Sequence, residues 1–322
     1  MPTLKDVAKK ASVSIATASY AINGSKLITE ETRKKVLQAA KEIGYRPNGV
    51  AKNLKKNRSE IIGLFLSGFT GPFFNELLEG IQDVVIQRGY EMVVCATVDK
   101  HRLLIEKHVD GAIILNYHIS DQLVEDIAQT GLPMILLDRE ISSENTQNVI
   151  LPNEEGITYS VEHLVQKGHK RIGFIAGADD SYDGETRLKG FRKAMKTHGL
   201  IFHEEDLIRA DFTEISGLLS MKHYLHSYQD YPTAFISAND EMAMGAIKAA
   251  KEHGMSIPDD MAFIGFDDIA LASYFQPPLT TVRVQKKQWG MEAANRLFDM
   301  LEGKKASVSH SVPIEFIERQ TT

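Results

Sequence analysis

The sequence predicts an α/β protein in two unequal parts: an all-helical head of about sixty residues, then a two-lobed body of parallel sheets covered by helices. Three observations carry this. The 322 residues, 43% hydrophobic and 25% charged, exceed one typical domain of roughly 150 residues and can fill more than one core. Charge divides the chain, because residues 1–60 hold 13 Lys+Arg against 5 Asp+Glu, a net of +8, while the rest holds 24 against 38, a net of -14, within an overall -6. From residue 61 onward, short apolar runs alternate with amphipathic stretches, the pattern of parallel strands joined by helices.

In the head, Leu4, Val7, Ala8 and Ala11 recur at helical spacing and the run stops at Ser12-Val13. Ser14 is placed to N-cap a second helix that runs to about Ile22 and closes at Asn23-Gly24. A third helix is expected from Glu30 to Ile43, capped by Thr29, with Glu30 and Glu31 at its positive end and Gly44 and Pro47 as stops. Its inner face reads Val36, Leu37, Ala40 and Ile43, closing a small core with Leu4, Val7, Ala8, Val13, Ala18 and Ile22.

Two short helices about a tight turn are the layout of a helix-turn-helix, whose second helix enters the major groove of DNA. Its outward side carries Ile15, Ala16, Ser19 and Tyr20, with Thr17 near its start. Small apolar groups there suit a thymine methyl, hydroxyls suit phosphate oxygens, and the Tyr20 hydroxyl suits a base edge or a phosphate.

In the body, residues 61–67, 92–96, 111–115, 133–137, 171–176, 233–237 and 261–266 read as buried strands, with a last strand near 312–317. Stretches 74–88, 155–167, 185–198 and 240–253 read as covering helices. Ile61-Ile62-Gly63-Leu64-Phe65 is echoed by Arg171-Ile172-Gly173-Phe174-Ile175, which predicts two similar lobes dividing near residue 158. Ligands of such sheets sit at the carboxyl ends of the strands, so the binding site is expected between the lobes.

Several classes are disfavoured. The single cysteine, Cys95, leaves no disulfide framework and reads as a structural thiol. No apolar run reaches the roughly 18 residues needed to span a bilayer, and the start MPTLKDVAKKA lacks a signal-peptide core, so a soluble cytoplasmic protein without membrane contact is expected. Neither Walker A, GxSxG nor GxGxxG occurs. The adjacent pairs Asp267-Asp268 and Asp179-Asp180 do not establish a glycosidase spacing. His223 and His226 lack a third metal ligand, and no catalysis, cofactor or metal is expected.

The segment TLKDVAKKASVSIATASYAINGS, followed by TRKKVLQAAKEIGYRPNGVAKNL, resembles the DNA-binding headpiece of the lactose/galactose repressor (LacI/GalR) family of bacterial transcription regulators. The resemblance implies a homodimer on double-stranded operator DNA, with contacts from Thr3, Ser14, Ile15, Ala16, Thr17, Ser19, Tyr20 and Asn23. It also makes 47–60 a hinge in which Leu54, beside Ala51, wedges into the minor groove; the alternative for Leu54 is a linker residue packed on the body. Two departures stand out: many members have glycine at Ser12 and arginine at Tyr20, and losing that arginine removes a bidentate partner for guanine.

The motifs GHKRIGFIAG, RLKGFRKAM, FISANDEMAMGAIKAA, GFDD and PPLTTV extend the resemblance to the family's effector-binding body, which is periplasmic-binding-protein-like. By resemblance, Asp267, Arg187 and Asn239 grip a small-molecule effector, Phe73, Phe74 and Phe212 line it, and Asp138 and Asp183 stand nearby. The stretch Asp99 to His108 is about eight to ten residues shorter than usual in this resemblance, which shortens a surface helix of the first lobe. The expected organisation is a headpiece 1–46, a hinge 47–60 and a body 61–322, with lobe 1 over 61–157 and 286–312 and lobe 2 over 158–285 and 313–322. The expected function is a transcription regulator, a repressor, whose operator affinity a carbohydrate controls. A protein co-effector, or a sugar-binding or sugar-processing protein without a gene-regulatory role, remains the alternative. No heptad tail follows the last strand, which speaks for a dimer over a coiled-coil tetramer.

Overall fold

The first helix, α1 (Leu4–Ala11), opens with a capping box: Thr3 Oγ1 accepts the Asp6 amide at 3.4 Å and the Asp6 carboxylate accepts the Thr3 amide at 2.8 Å. It ends at Ser12, which adopts the left-handed conformation at φ 53° and ψ 47°. Helix α2 (Ile15–Ile22) is capped by Ser14 Oγ, which accepts the Thr17 amide at 3.0 Å. Helix α3 (Glu30–Glu42) is capped by Thr29 and followed by Gly44 at φ +67°. Val7, Ala8, Ala11, Ala18, Ala21, Val36, Ala39 and Ala40 form the buried centre, with Leu4, Val13, Ile22 and Ile43 packed around it. Leu37 departs from the expected inner face and is 44% exposed. The buried stripe of α3 instead steps from Val36 to Ala39 and Ala40, which turns Leu37 towards the helix flank.

The computed structural model describes residues 2–47, 58–69, 71–96, 98–304 and 312–322. The chain divides into two units, up to Ser59 and from Glu60. The second unit contains two sheets. The first holds β1 (Ile61–Leu66), β2 (Glu91–Ala96), β3 (Gly111–Leu115), β4 (Met134–Leu136) and β5 (Thr146–Asn148) in the order β2-β1-β3-β4-β5, all parallel. The second holds β6 (Ile172–Ala176), β7 (Leu207–Arg209), β8 (Ala234–Ser237), β9 (Ala262–Asp267), β10 (Thr280–Val284) and β11 (Ile314–Ile317) in the order β11-β10-β9-β8-β6-β7. Read from the other edge, its first five strands repeat the order of the first sheet, and only β11 runs antiparallel, against β10. The echo between residues 61–65 and 171–175 therefore marks equivalent strands, β1 and β6.

Helices cover both sheets: α4 (Phe74–Gln87), α5 (Arg102–Ile105), α6 (Asp121–Gln129), α7 (Asn153–Gln166), α8 (Tyr182–Thr197), α9 (Glu214–Ser227), α10 (Asp240–Glu252), α11 (Ala270–Tyr274) and α12 (Lys286–Leu301). Between β2 and β3 the described residues hold one short helix, the four residues of α5. Helix α8 starts three residues before the expected 185 because Ser181 Oγ caps it by accepting the Gly184 amide at 3.3 Å. Strands β5, β7 and β10 are additional to the expected set; the first two have only three residues each, too few for a periodic signal.

The lobe division near residue 158 needs a correction. Helix α7 starts at Asn153 and packs on α8, β10 and β11, so the chain has crossed to the second lobe before it. Gly156 lets α7 lie this close to the second sheet, since a Cβ there would stand 2.6 Å from the Phe266 ring and 3.0 Å from Val282. Helix α12 returns to the first lobe against α4, where Gly80 meets the Lys287 carbonyl and Gly290 the Leu77 carbonyl.

Candidate functional site

One cavity of the body lies where the carboxyl ends of both sheets face each other. Ser67 and Gly68 follow β1, Leu115 and Tyr117 end β3, and Asp138 follows β4; from the other lobe come Ser181, Asp183 and Arg187, Asp211 to Thr213 after β7, Asn239 and Glu241 after β8, and Asp267 at the end of β9. Phe73 and Phe74 stand at the start of α4. All eight residues expected at the effector site, Phe73, Phe74, Asp138, Asp183, Arg187, Phe212, Asn239 and Asp267, line this cavity.

The earlier start of α8 sets Asp183 and Arg187 four residues apart, on one helix face. Arg187 is 3% exposed and its donors are engaged on one side: Nε with Asn153 Oδ1 at 2.8 Å, Nη1 with the Ala238 carbonyl, and Nη2 with Asp267 Oδ1 at 3.4 Å. Its guanidinium also lies 3.8 Å from the centre of the Phe266 ring. Asn153 passes the order on, donating to Asp183 Oδ1 at 2.7 Å.

Asp267 and Asp268 sit at φ 107° and 49°, a conformation that L side chains adopt only when the surroundings hold it. Here the surroundings are charged. Lys286 Nζ, at 2% exposure, donates to the Asp267 carbonyl at 2.6 Å, and the Asp268 carboxylate is held by Arg283 Nε and Arg319 Nη2, each at 2.7 Å. Underneath, the buried Asp240 carboxyl accepts the Ile269 amide at 2.8 Å and the Thr281 hydroxyl, and it lies so close to Gly265 that a Cβ would stand 2.1 Å away. Burial pushes the Asp267 carboxyl up to about 6; Arg187 and Lys286 pull it down, and Asp183 pushes it further up.

Phe212, too, sits at positive φ, 70°. Gly177 makes room for its ring, because a Cβ there would be 2.1 Å from Phe212 Cζ, and Asn239 Nδ2 holds its carbonyl at 2.8 Å. Asn239 also caps α10 through Oδ1, which accepts the Met242 amide at 2.9 Å. It retains one N–H and one lone pair for a ligand. Across the cleft, Asp138 is buried beside Arg139, whose Nε donates to it at 3.0 Å, and burial raises its carboxyl. The lobes meet where the Tyr182 hydroxyl donates to Glu140 Oε1 at 3.0 Å. They meet again where Glu241 rests on Gly71.

Sequence reasoning missed Asn153, Lys286, Tyr117, Asp211 and Glu241. Asn153 and Lys286 open helices and look like ordinary helix-start residues, although Glu241 falls inside the FISANDEMAMG motif.

In the head, Ile15 and Tyr20 are each 47% exposed and Ala16 is exposed beside them. Thr17 and Ser19 are half-buried on the same helix. Thr3 and Ser14 serve as caps, and Asn23 Nδ2 donates to the Ser19 carbonyl at 2.8 Å. Ala51 and Leu54 lie outside the described residues. No group of three or more His, Cys, Asp or Glu among the described residues is arranged to hold a metal, and no helix among them is long and apolar enough to cross a membrane.

A helix-turn-helix head joined to a two-lobed body with a ligand-sized cleft defines a DNA-binding regulator with an effector site. Residues 3–48 match the model of bacterial regulatory proteins, lacI family, and residues 161–322 match the periplasmic binding protein-like domain. The HTH-type transcriptional repressor PurR of Aliivibrio salmonicida is 35% identical over 312 residues, spanning 94% of this chain and 93% of the relative. The lac repressor dimer bound to operator and the anti-inducer ONPF superposes with a TM-score of 0.80 at 30% identity, covering 99% of this chain and 98% of that one. The regulator CelR in complex with cellobiose superposes at 0.76 with 29% identity and full coverage of both chains, 100% each. The chain belongs to the lacI family of bacterial regulatory proteins and is a DNA-binding transcription regulator with an effector-binding body.

Proposed function

We propose that this protein is a cytoplasmic, non-catalytic, homodimeric repressor whose operator affinity is set by a carbohydrate bound between the lobes. The observation that carries the reading is the buried Arg187–Asp267 pair on a strained turn, opposite Asp138 and beside the Phe212 ring. Carboxylates accept hydrogen bonds from hydroxyls, and an aromatic ring covers the apolar face of a pyranose. Asp267, Asp138 and Asp183 take hydroxyls, Asn239 and Arg187 orient them, and Phe73, Phe74 and Phe212 enclose the ring. CelR with its cellobiose supports the assignment by similarity.

On DNA, Ile15, Ala16 and Tyr20 of α2 read base edges in the major groove, with Thr17 and Ser19 on phosphates. Thr3, Ser14 and Asn23 hold the reading helix in place and reach the backbone. Ala51 and Leu54 of the hinge 47–60 enter the minor groove at the operator centre. Effector binding rotates the lobes, changes the pairing of the two hinges, and so changes operator affinity; operator then changes effector affinity by the same factor. The test is selection of bound sequences from random DNA, repeated with a sugar panel. A pseudo-palindromic site whose occupancy a sugar alters is expected; a site that no sugar alters removes the carbohydrate.

A further inference from the structure

The cavity is electrically unbalanced. Five carboxyl groups line it, Asp138, Asp183, Asp211, Glu241 and Asp267, against one guanidinium, Arg187. Two are matched: Asp138 pairs with Arg139 and Asp267 with Arg187. Asp183, Asp211 and Glu241 form no ion pair with a cation among the described residues; Asp183 is held by the neutral Asn153 amide, and Asp211 accepts from Thr213. Arg187 has three of its five N–H groups engaged by protein oxygens, which leaves two to orient a ligand and a single positive charge against five carboxyls. The three unmatched groups follow β8, β6 and β7, neighbouring strands of the second sheet, so they stand together on the second lobe's wall of the cavity.

We propose that the effector carries a positive charge, in the form of an amine-bearing sugar whose ammonium is taken by Asp183 and Glu241. This rests on the carbohydrate reading of the same cleft and narrows it. An ammonium presents three donors and no acceptor, the complement of carboxylates that lack a cation. A neutral sugar fills the same space but leaves the charge unbalanced, and a sugar phosphate adds to it. Burial raises the carboxyls of Asp183 and Glu241; Arg187 acts against this at Asp183, the nearby Asp267 adds to it at Glu241, and an ammonium bound beside them would favour the ionised form of both.

The test uses the full-length chain and titration calorimetry at neutral pH. Glucosamine, galactosamine and mannosamine are compared with their parent sugars, with the N-acetyl forms, which keep the nitrogen and lose the charge, and with the 6-phosphates. The best amine is expected to bind at least about tenfold tighter than its parent and its N-acetyl form. That preference should collapse in Glu241→Gln, and in Asp183→Asn where that variant folds. A parent, N-acetyl or phosphorylated sugar that binds as tightly as the best amine overturns the charge assignment and leaves the carbohydrate reading standing. Silence from the whole panel, with operator binding intact, overturns both.

Discussion

The Lys286 ammonium lies 2.6 Å from the main-chain oxygen of Asp267, although the two residues belong to different lobes. Lys286 opens α12, which packs on α4 of the first lobe, and its ammonium also stands 4.0 Å from Glu76 of α4. Asp267 ends β9 in the second lobe and lines the cavity. A buried ammonium is costly unless its donors are met, and here the strained Asp267-Asp268 turn meets them. The lobe that holds the ligand-gripping carboxylate is thus tied to the helix pair of the other lobe. Lys286→Met is expected to weaken effector binding by about tenfold or more and to shrink the effector's influence on operator affinity, with effector-free operator binding within about threefold. Operator titrations with and without effector read both numbers, and an unchanged ratio sinks the link.

That bond was not legible in the sequence, and the reason is local. Lys286 and Lys287 are neighbours in a stretch that reads as a polar helix start. Lys287 is 42% exposed and pairs with Glu79 and Asp83, as a surface lysine does, whereas Lys286 is 2% exposed. Only the crossing of α12 between lobes separates them. Asp267 and Arg187 were legible because their strand-end and helix positions follow from period and motif. Asn153 was not, because its role depends on α7 already lying in the second lobe.

Asp267 makes effector affinity depend on pH. Its carboxyl keeps its proton up to about 6 in the folded chain, against about 4 when unfolded, so this group lowers stability as pH rises through that interval. A ligand that donates hydrogen bonds to the carboxylate favours the ionised form, so affinity is expected to rise with pH to about 6 and level off above it. Dissociation constants measured from pH 5 to 8 should show this slope, and Asp267→Asn should bind weakly and flatten it. A wild-type profile without a slope removes Asp267 from direct contact.

The single tryptophan offers a direct reporter. Trp289 is fully buried, donates its indole N–H to the Val149 carbonyl at 2.7 Å, and lies 6.3 Å from the Phe73 ring, which lines the cavity. Effector binding that shifts Phe73 is expected to change Trp289 emission without labelling, by about a tenth or more in intensity, through altered packing on the indole. Calorimetric binding without any emission change would show that Phe73 stays still.

Ser12 pays a conformational cost for its place in the turn between α1 and α2. At φ 53° it occupies a region about 1–2 kcal/mol unfavourable for an L residue, while glycine there loses roughly 0.5–1 kcal/mol of chain entropy. The difference predicts that Ser12→Gly stabilises the head by about 0.5–1 kcal/mol, with no loss of operator affinity since the turn geometry is retained. Denaturant unfolding of the head against the serine form measures it, and a destabilised variant would mean that the hydroxyl has a role in the turn.

Tyr20 sits where its identity matters more than its contribution to attraction. It is 47% exposed on the reading face of α2, in a head whose net charge up to residue 60 is +8. Attraction to phosphate comes from the lysines and arginines and falls with salt, whereas a tyrosine lacks the planar two-donor fork with which arginine selects guanine. Tyr20→Ala is therefore expected to relax sequence preference at one base position per half-site, by about 1–3 kcal/mol of discrimination, while non-specific affinity and its salt slope stay the same. Tyr20→Arg should move preference at that position to guanine. Uniform weakening across all sequences would instead make the Tyr20 hydroxyl a phosphate contact, and then the base-reading role would pass to Ile15 and Ala16.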